Sequence, residues 1–200
     1  MKKYLGIALL LTAVISCSGN HGGWTQQESS LINGGAGVMR VLTERDESDS
    51  LLLRQKSVGL SKEMITSETY ATLASRMIAT VTSPEQDGVG IAAPQVGVLR
   101  RVVAVMRYDK DGMPFIVYPD IRITACRGDL QDGPEGCLSV PGARGVVPRY
   151  QEIDISYVSP ETLHDTVETV KGYSAVIFQH ECDHLDGVLY TDRAVSITLD

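Results

Sequence analysis

Two histidines four residues apart, His180 and His184, enclose Glu181, Cys182 and Asp183 near the end of the chain. On a helix, side chains at that spacing stand on one face, so both imidazoles can reach a single metal ion. Glu181 follows the first histidine directly. It falls beside such an ion rather than among its ligands, where a carboxylate can take and return protons. A hydrolytic metal centre of this kind needs a third protein ligand. The sixteen residues after His184 contain no His, Cys or Glu, so that ligand is expected from upstream. His21 and His164 lie in polar stretches and read as solvent-facing. Cys137 is the best candidate, a thiol in the glycine-flanked stretch Glu135-Gly136-Cys137-Leu138-Ser139 that ligates strongly once deprotonated. Its alternative is a buried structural cysteine, which is the preferred reading for Cys126 and Cys182. Those two could also pair in an oxidising compartment.

The histidines need a helix to present them. Tyr173, Val176, Ile177, His180 and His184 form one helical stripe, with Gly172 before it and Gly187 after it as a stop. Periodicity predicts a second helix from Ser61 or Ser67 to Val81, either serine serving as its cap. Strands are predicted over 101–106, 115–118, 121–125, 152–157 and 166–170, with Asp109-Lys110-Asp111-Gly112 turning the first pair. The fold class is α+β, antiparallel strands packed around a central helix that bears the two histidines. The stretch Gly88 to Gly97 is rich in small residues and lets something approach the backbone closely. It is not a dinucleotide fingerprint, because no strand clearly precedes it and Pro94 interrupts the helix that should follow.

Length suits one domain with a sizeable core, and the formal charge of -7 with no basic cluster argues against a nucleic-acid partner. Lys2 and Lys3 precede an apolar run, Leu5 to Ile15, that is too short to anchor across a bilayer. It ends in Val14-Ile15-Ser16-Cys17, which resembles a bacterial lipobox with Cys17 as the lipidated residue. The expected organisation is a lipoprotein signal over 1–17, a flexible tether over 18–37 and a catalytic domain over 38–200. Acyl chains on Cys17 would hold the domain at a membrane in the cell envelope. Ser18, standing where some inner-membrane lipoproteins carry aspartate, weakly favours an outer membrane.

Three stretches, GVGIAAPQVG, EGCLSVPG and QHECDHLDG, occur in this order and resemble the three motifs of peptide deformylases. The similarity runs from about Val38 to Asp192. It implies hydrolysis of the N-formyl amide of formyl-methionyl peptides, with release of formate. It implies one divalent metal, natively often iron(II), with zinc, nickel or cobalt as substitutes, held by Cys137, His180 and His184. Glu181 then matches the catalytic carboxylate. The Gln95 amide and the Leu138 backbone N–H match the oxyanion donors. Gly90 matches a residue whose backbone pairs with the substrate, and Arg144 a substrate-facing arginine. Val89, Tyr173, Val176 and Ile177 match the pocket for the methionine side chain.

The chain departs from the family at its export signal and at Gly133, where many relatives carry a bulkier pocket residue, so a wider pocket is expected. Tyr118 and Lys171 also stand where other types are common. A monomer is expected. Two other readings are a different metal-dependent amidase or peptidase on the same fold, and an inactive envelope binding protein.

Overall fold

A computed structural model describes residues 22–35 and 37–199. Cys17 and His21 lie outside them. The described residues begin with helix α1 (Gln26–Asn33), and Thr25 caps it in a reciprocal capping box with Glu28. Residues 26–33 of the tether expected over 18–37 are therefore helical, while residues 18–21 lie outside the described ones. Eight residues are too few to show a helical period, yet Ile32 is fully buried among α4 residues in the core. Helix α2 (Glu47–Leu53) follows. Both candidate cap serines are used, because two helices stand where one was expected. Ser61 caps the short α3 (Lys62–Ile65) and Ser67 caps α4 (Glu68–Val81).

Strands β1 (Gly90–Ala92), β2 (Val102–Met106) and β3 (Phe115–Pro119) form an antiparallel sheet with β2 in the middle. A 3-10 turn, Ala93–Val96, leaves β1 and ends on Gly97 in the left-handed region. The second sheet is built on a long hairpin, β4 (Arg122–Cys137) and β5 (Val140–Val158), extended by β6 (Asp165–Lys171) and β7 (Ser196–Leu199). The strands expected over 121–125 and 152–157 are only the far ends of that hairpin. Helix α5 (Tyr173–Leu185) carries the histidines.

The two sheets and two helices pack by alternation. Val102 and Ala104 of β2 join Leu73, Met77 and Val81 of α4 in one cluster. Val103 and Val105 point the other way, into a cluster with Ile153 and Ile155 of β5, Val170 of β6, and Ala175, Phe178, Cys182 and Leu185 of α5. Helix α5 is thus held between both sheets, with roughly 1.5–3 kcal/mol for each large apolar side chain it buries. Gln179 fastens it further. Its amide accepts from the Tyr150 N–H at 3.0 Å and donates to the Tyr150 carbonyl at 2.7 Å, so it pairs with β5 as a strand would. Beyond Leu185 the helix ends in a Schellman turn. Val188 N–H reaches the Asp183 carbonyl and Gly187 N–H the His184 carbonyl, with Gly187 at φ 74°.

Cys126 is exposed and Cys182 buried, and both are free, so the suggested disulfide is not made. His164 is exposed, as read from its turn. No described helix is long and apolar enough to cross a membrane.

Candidate metal centre

Cys137 is the last residue of β4, and Leu138 and Ser139 make the two-residue turn into β5. The hairpin tip leans over α5. Ligand atoms of Cys137, His180 and His184 all lie within 4.8 Å of one another, and Cys137 Sγ is 3.2 Å from His184 Nε2. His180 gives Nδ1 to Glu135 Oε2 at 2.8 Å, which leaves Nε2 for an ion. Burial holds the His184 pKa well below the usual imidazole range, keeping it in the neutral form that ligates. One soft sulfur and two borderline nitrogens converge on one point beside the cavity, with His184 buried and Cys137 and His180 partly buried, which fits a single divalent metal.

Glu181 is 4 % exposed and lines the adjoining cavity, with Oε2 buried and unpartnered among the described residues. Burial pushes its pKa up to about 7. Gly90 leaves room for it, since a β-carbon there would stand 2.4 Å from Glu181 Oε1 and 2.7 Å from Ile177 Cγ2. Gln95, 1 % exposed, is fixed at both ends of its amide. Oε1 accepts the Ala92 N–H at 2.9 Å, and Nε2 faces Ser139 Oγ at 3.1 Å and Cys137 Sγ at 3.7 Å.

A cavity of about 390 Å³ opens beside these groups. Val89, Gly90, Gln95, Leu138, Arg144, Tyr173, Val176, Ile177, His180 and Glu181 all line it. Every site residue expected from sequence and lying in the described region is therefore at the cavity or at the ligand cluster. Gly133 is not on the wall, which at this point is made by Pro134, Glu135 and Gly136, so the expected widening there does not follow. Tyr118 is core, with its hydroxyl accepting from buried Arg107. Lys171 pairs with Glu152 on the surface.

Sequence reasoning gave no role to a buried ionic chain behind the ligands. Arg149 donates to both oxygens of Glu135 at 2.8 and 3.1 Å and to Asp183 Oδ2 at 2.6 Å. Arg193 closes on Asp183 with two further bonds. Ser139, fully buried, gives its N–H to Cys137 Sγ at 3.4 Å. The only signal available was position, Glu135 and Asp183 each standing inside a stretch that carries a ligand.

A histidine pair with an intervening carboxylate and an upstream thiolate, under an α+β fold with a lined cleft, defines a mononuclear metal hydrolase. Comparison with known proteins narrows this. The polypeptide deformylase family model matches residues 39–199. A peptide deformylase of Leptospira biflexa is 41 % identical over 162 residues, covering 74 % of this chain and 85 % of that protein. Among solved structures, a class I type b peptide deformylase from Acinetobacter baumannii bound to Met-Ala-Ser has a TM-score of 0.69 at 31 % identity, covering 79 % of this chain and all of the other. The peptide deformylase of Thermotoga maritima gives 0.69 at 30 % identity, covering 80 % of this chain and 100 % of the other. The chain belongs to the polypeptide deformylase family. Its activity is that of a peptide deformylase, a metal-dependent hydrolase.

Proposed function

We propose that this enzyme removes the formyl group from formyl-methionyl peptides or proteins in the cell envelope, with iron(II) as its native ion. The observation that carries the chemistry is the convergence of Cys137, His180 and His184 within 4.8 Å on a cavity that also holds Glu181 and Gln95. Those three side chains would hold the metal. When bound, the ion supplies Lewis acidity and makes water a competent nucleophile near neutral pH.

The other steps belong to the chain itself. Strand β1 is an edge strand, so the Gly90 backbone can take the peptide as an added strand. Val89, Tyr173, Val176 and Ile177 receive the methionine side chain, and Arg144 faces the peptide further along. The A. baumannii relative bound to Met-Ala-Ser supports a methionyl peptide as occupant. As negative charge builds on the formyl oxygen, the Gln95 amide and the Leu138 N–H donate to it. One such donor is worth roughly 3–4 kcal/mol of barrier. The clamp on Gln95 Oε1 by Ala92 forces its N–H end towards the ligands, so the donor is oriented before substrate arrives. Glu181 accepts a proton from the attacking water and delivers it to the leaving amine, and a carboxyl raised to about 7 suits both transfers.

The envelope location is supported by the leader and Cys17. Formate release from formyl-Met-Ala tests the chemistry, with acetyl-Met-Ala and Glu181→Ala as controls. Equal turnover of the acetyl peptide would overturn it. Recovery of the protein in cytosol with residues 1–17 retained would overturn the location.

A further inference from the structure

Residues 22–35 lie outside the matched family region, 39–199, and yet are built into the core. One buried arginine holds them. Arg100, 4 % exposed, donates to Glu28 Oε1 at 2.6 Å and Oε2 at 2.9 Å, to the Gly23 carbonyl at 3.1 Å and to the Gly59 carbonyl at 3.3 Å. It also lies 5.7 Å from the centroid of the Trp24 ring. Trp24 in turn donates to Ser67 Oγ at 2.9 Å. At the other end of α1, Arg76 donates to the carbonyls of Leu31, Ile32 and Gly37. The chain is therefore fixed from Gly23 onward, at a point between Gly59 and Ser67.

We infer that this clamp shortens the link between a lipidated Cys17 and the folded domain to the five residues 18–22, and so docks the Gly23–Trp24 face on the bilayer surface. The inference rests on the envelope reading above. However the link runs, six Cα steps from Cys17 to Gly23 span at most about 22 Å. A free tether through residue 37 would reach about 70 Å when extended. The occupant of this face is the lipid headgroup layer to which Cys17 belongs. Exposed Lys56, Val58 and Lys62 flank Gly59 in sequence, with the Asp120 carboxylate beside Gly59 and Glu63 next to Lys62, so the ammonium groups of Lys56 and Lys62 and the apolar Val58 are what this stretch offers a headgroup layer. Helix α4 starts beside Trp24 and runs about 21 Å to Val81, whose carbonyl accepts the N–H of Gly88 at the cavity wall. Docking at Trp24 thus leaves the Gly88 edge of the cavity about one helix length from the docked residue.

Trp24 is the chain's single tryptophan, so its emission reports on this face alone. The experiment places the full lipidated chain in phosphatidylethanolamine–phosphatidylglycerol vesicles carrying a dansyl lipid. Energy transfer from Trp24 is compared with a variant carrying twenty Gly-Ser residues inserted between His21 and Gly22. Transfer several-fold more efficient in the native chain is the expected result. A chain that floats with the vesicles but transfers no better than the spacer variant overturns the short link alone. A chain that does not float overturns the anchor, and this inference with it.

Discussion

His180 Nδ1 stands 2.8 Å from Glu135 Oε2, so a carboxylate two residues before one ligand, Cys137, orients another. Hairpin and helix are locked together through this contact, and Arg149 binds the same carboxylate from behind while reaching Asp183 on the helix. Glu135→Gln keeps the size of the side chain and removes its charge. The expected outcome is a metal affinity lower by about 10–100-fold with the fold retained. Competition with a chelator, followed by metal analysis, measures it. An unchanged rate of metal loss would show that Glu135 does not orient the imidazole.

Gly90→Ala tests the closest approach in the site. Its β-carbon would fall 2.4 Å from Glu181 Oε1, against a helix that both sheets hold in place. The carboxylate must move, and a displacement of about 1 Å in a catalytic group costs on the order of 100-fold in rate. Turnover of formyl-Met-Ala at equal metal content should fall by that order. Near-native turnover would mean that the carboxylate is free to shift.

The histidine helix was legible because its period and both flanking glycines are local signals, and Cys137 followed because few other ligands were available. The long hairpin was not. Between Arg122 and Cys137 most side chains are exposed, so no apolar alternation marks a strand, and order there comes from ladder bonds to β5. Helix α1 was missed for a related reason. It is eight residues long and is secured by Arg100 and Arg76, each more than forty residues away in sequence from its contacts in or next to α1, apart from the bond from Arg76 to Gly37, 39 residues away. The Glu135–Arg149–Asp183 chain joins residues 14 and 34 apart, a pairing that only folding brings about.

Metal-free protein should report the burial of Glu181 as a pH dependence of stability. Its folded pKa, about 7, lies above the ordinary 4.5. The folded state then binds the proton more tightly, so its contribution is fully present below pH 4.5 and is lost as pH rises through 7. The span is worth about 3 kcal/mol. Other groups titrate in the same range, so the comparison is with Glu181→Gln, which lacks only this one. Urea unfolding of the two metal-free proteins at pH 5 and pH 8 should show the native chain losing about that much more than the variant. Parallel pH profiles would show that the carboxyl is not desolvated.

Gly187→Ala probes how the end of α5 is fixed next to a ligand. Gly187 has φ 74°, where a side chain costs about 1–2 kcal/mol. A β-carbon would also meet the Arg54 carbonyl oxygen at 2.4 Å, so the loop after α2 must yield as well. The Schellman turn that closes on His184 and Asp183 is the structure at risk. Asp183 anchors Arg149 and Arg193, so loosening this turn reaches the support behind His180. The variant should lose more than about 2 kcal/mol in denaturant unfolding and release its metal faster at pH 7. Gly187→Asn, which tolerates the left-handed backbone better but keeps the clash, separates the two causes. Full recovery by asparagine would assign the loss to backbone strain, and no recovery would assign it to contact with Arg54.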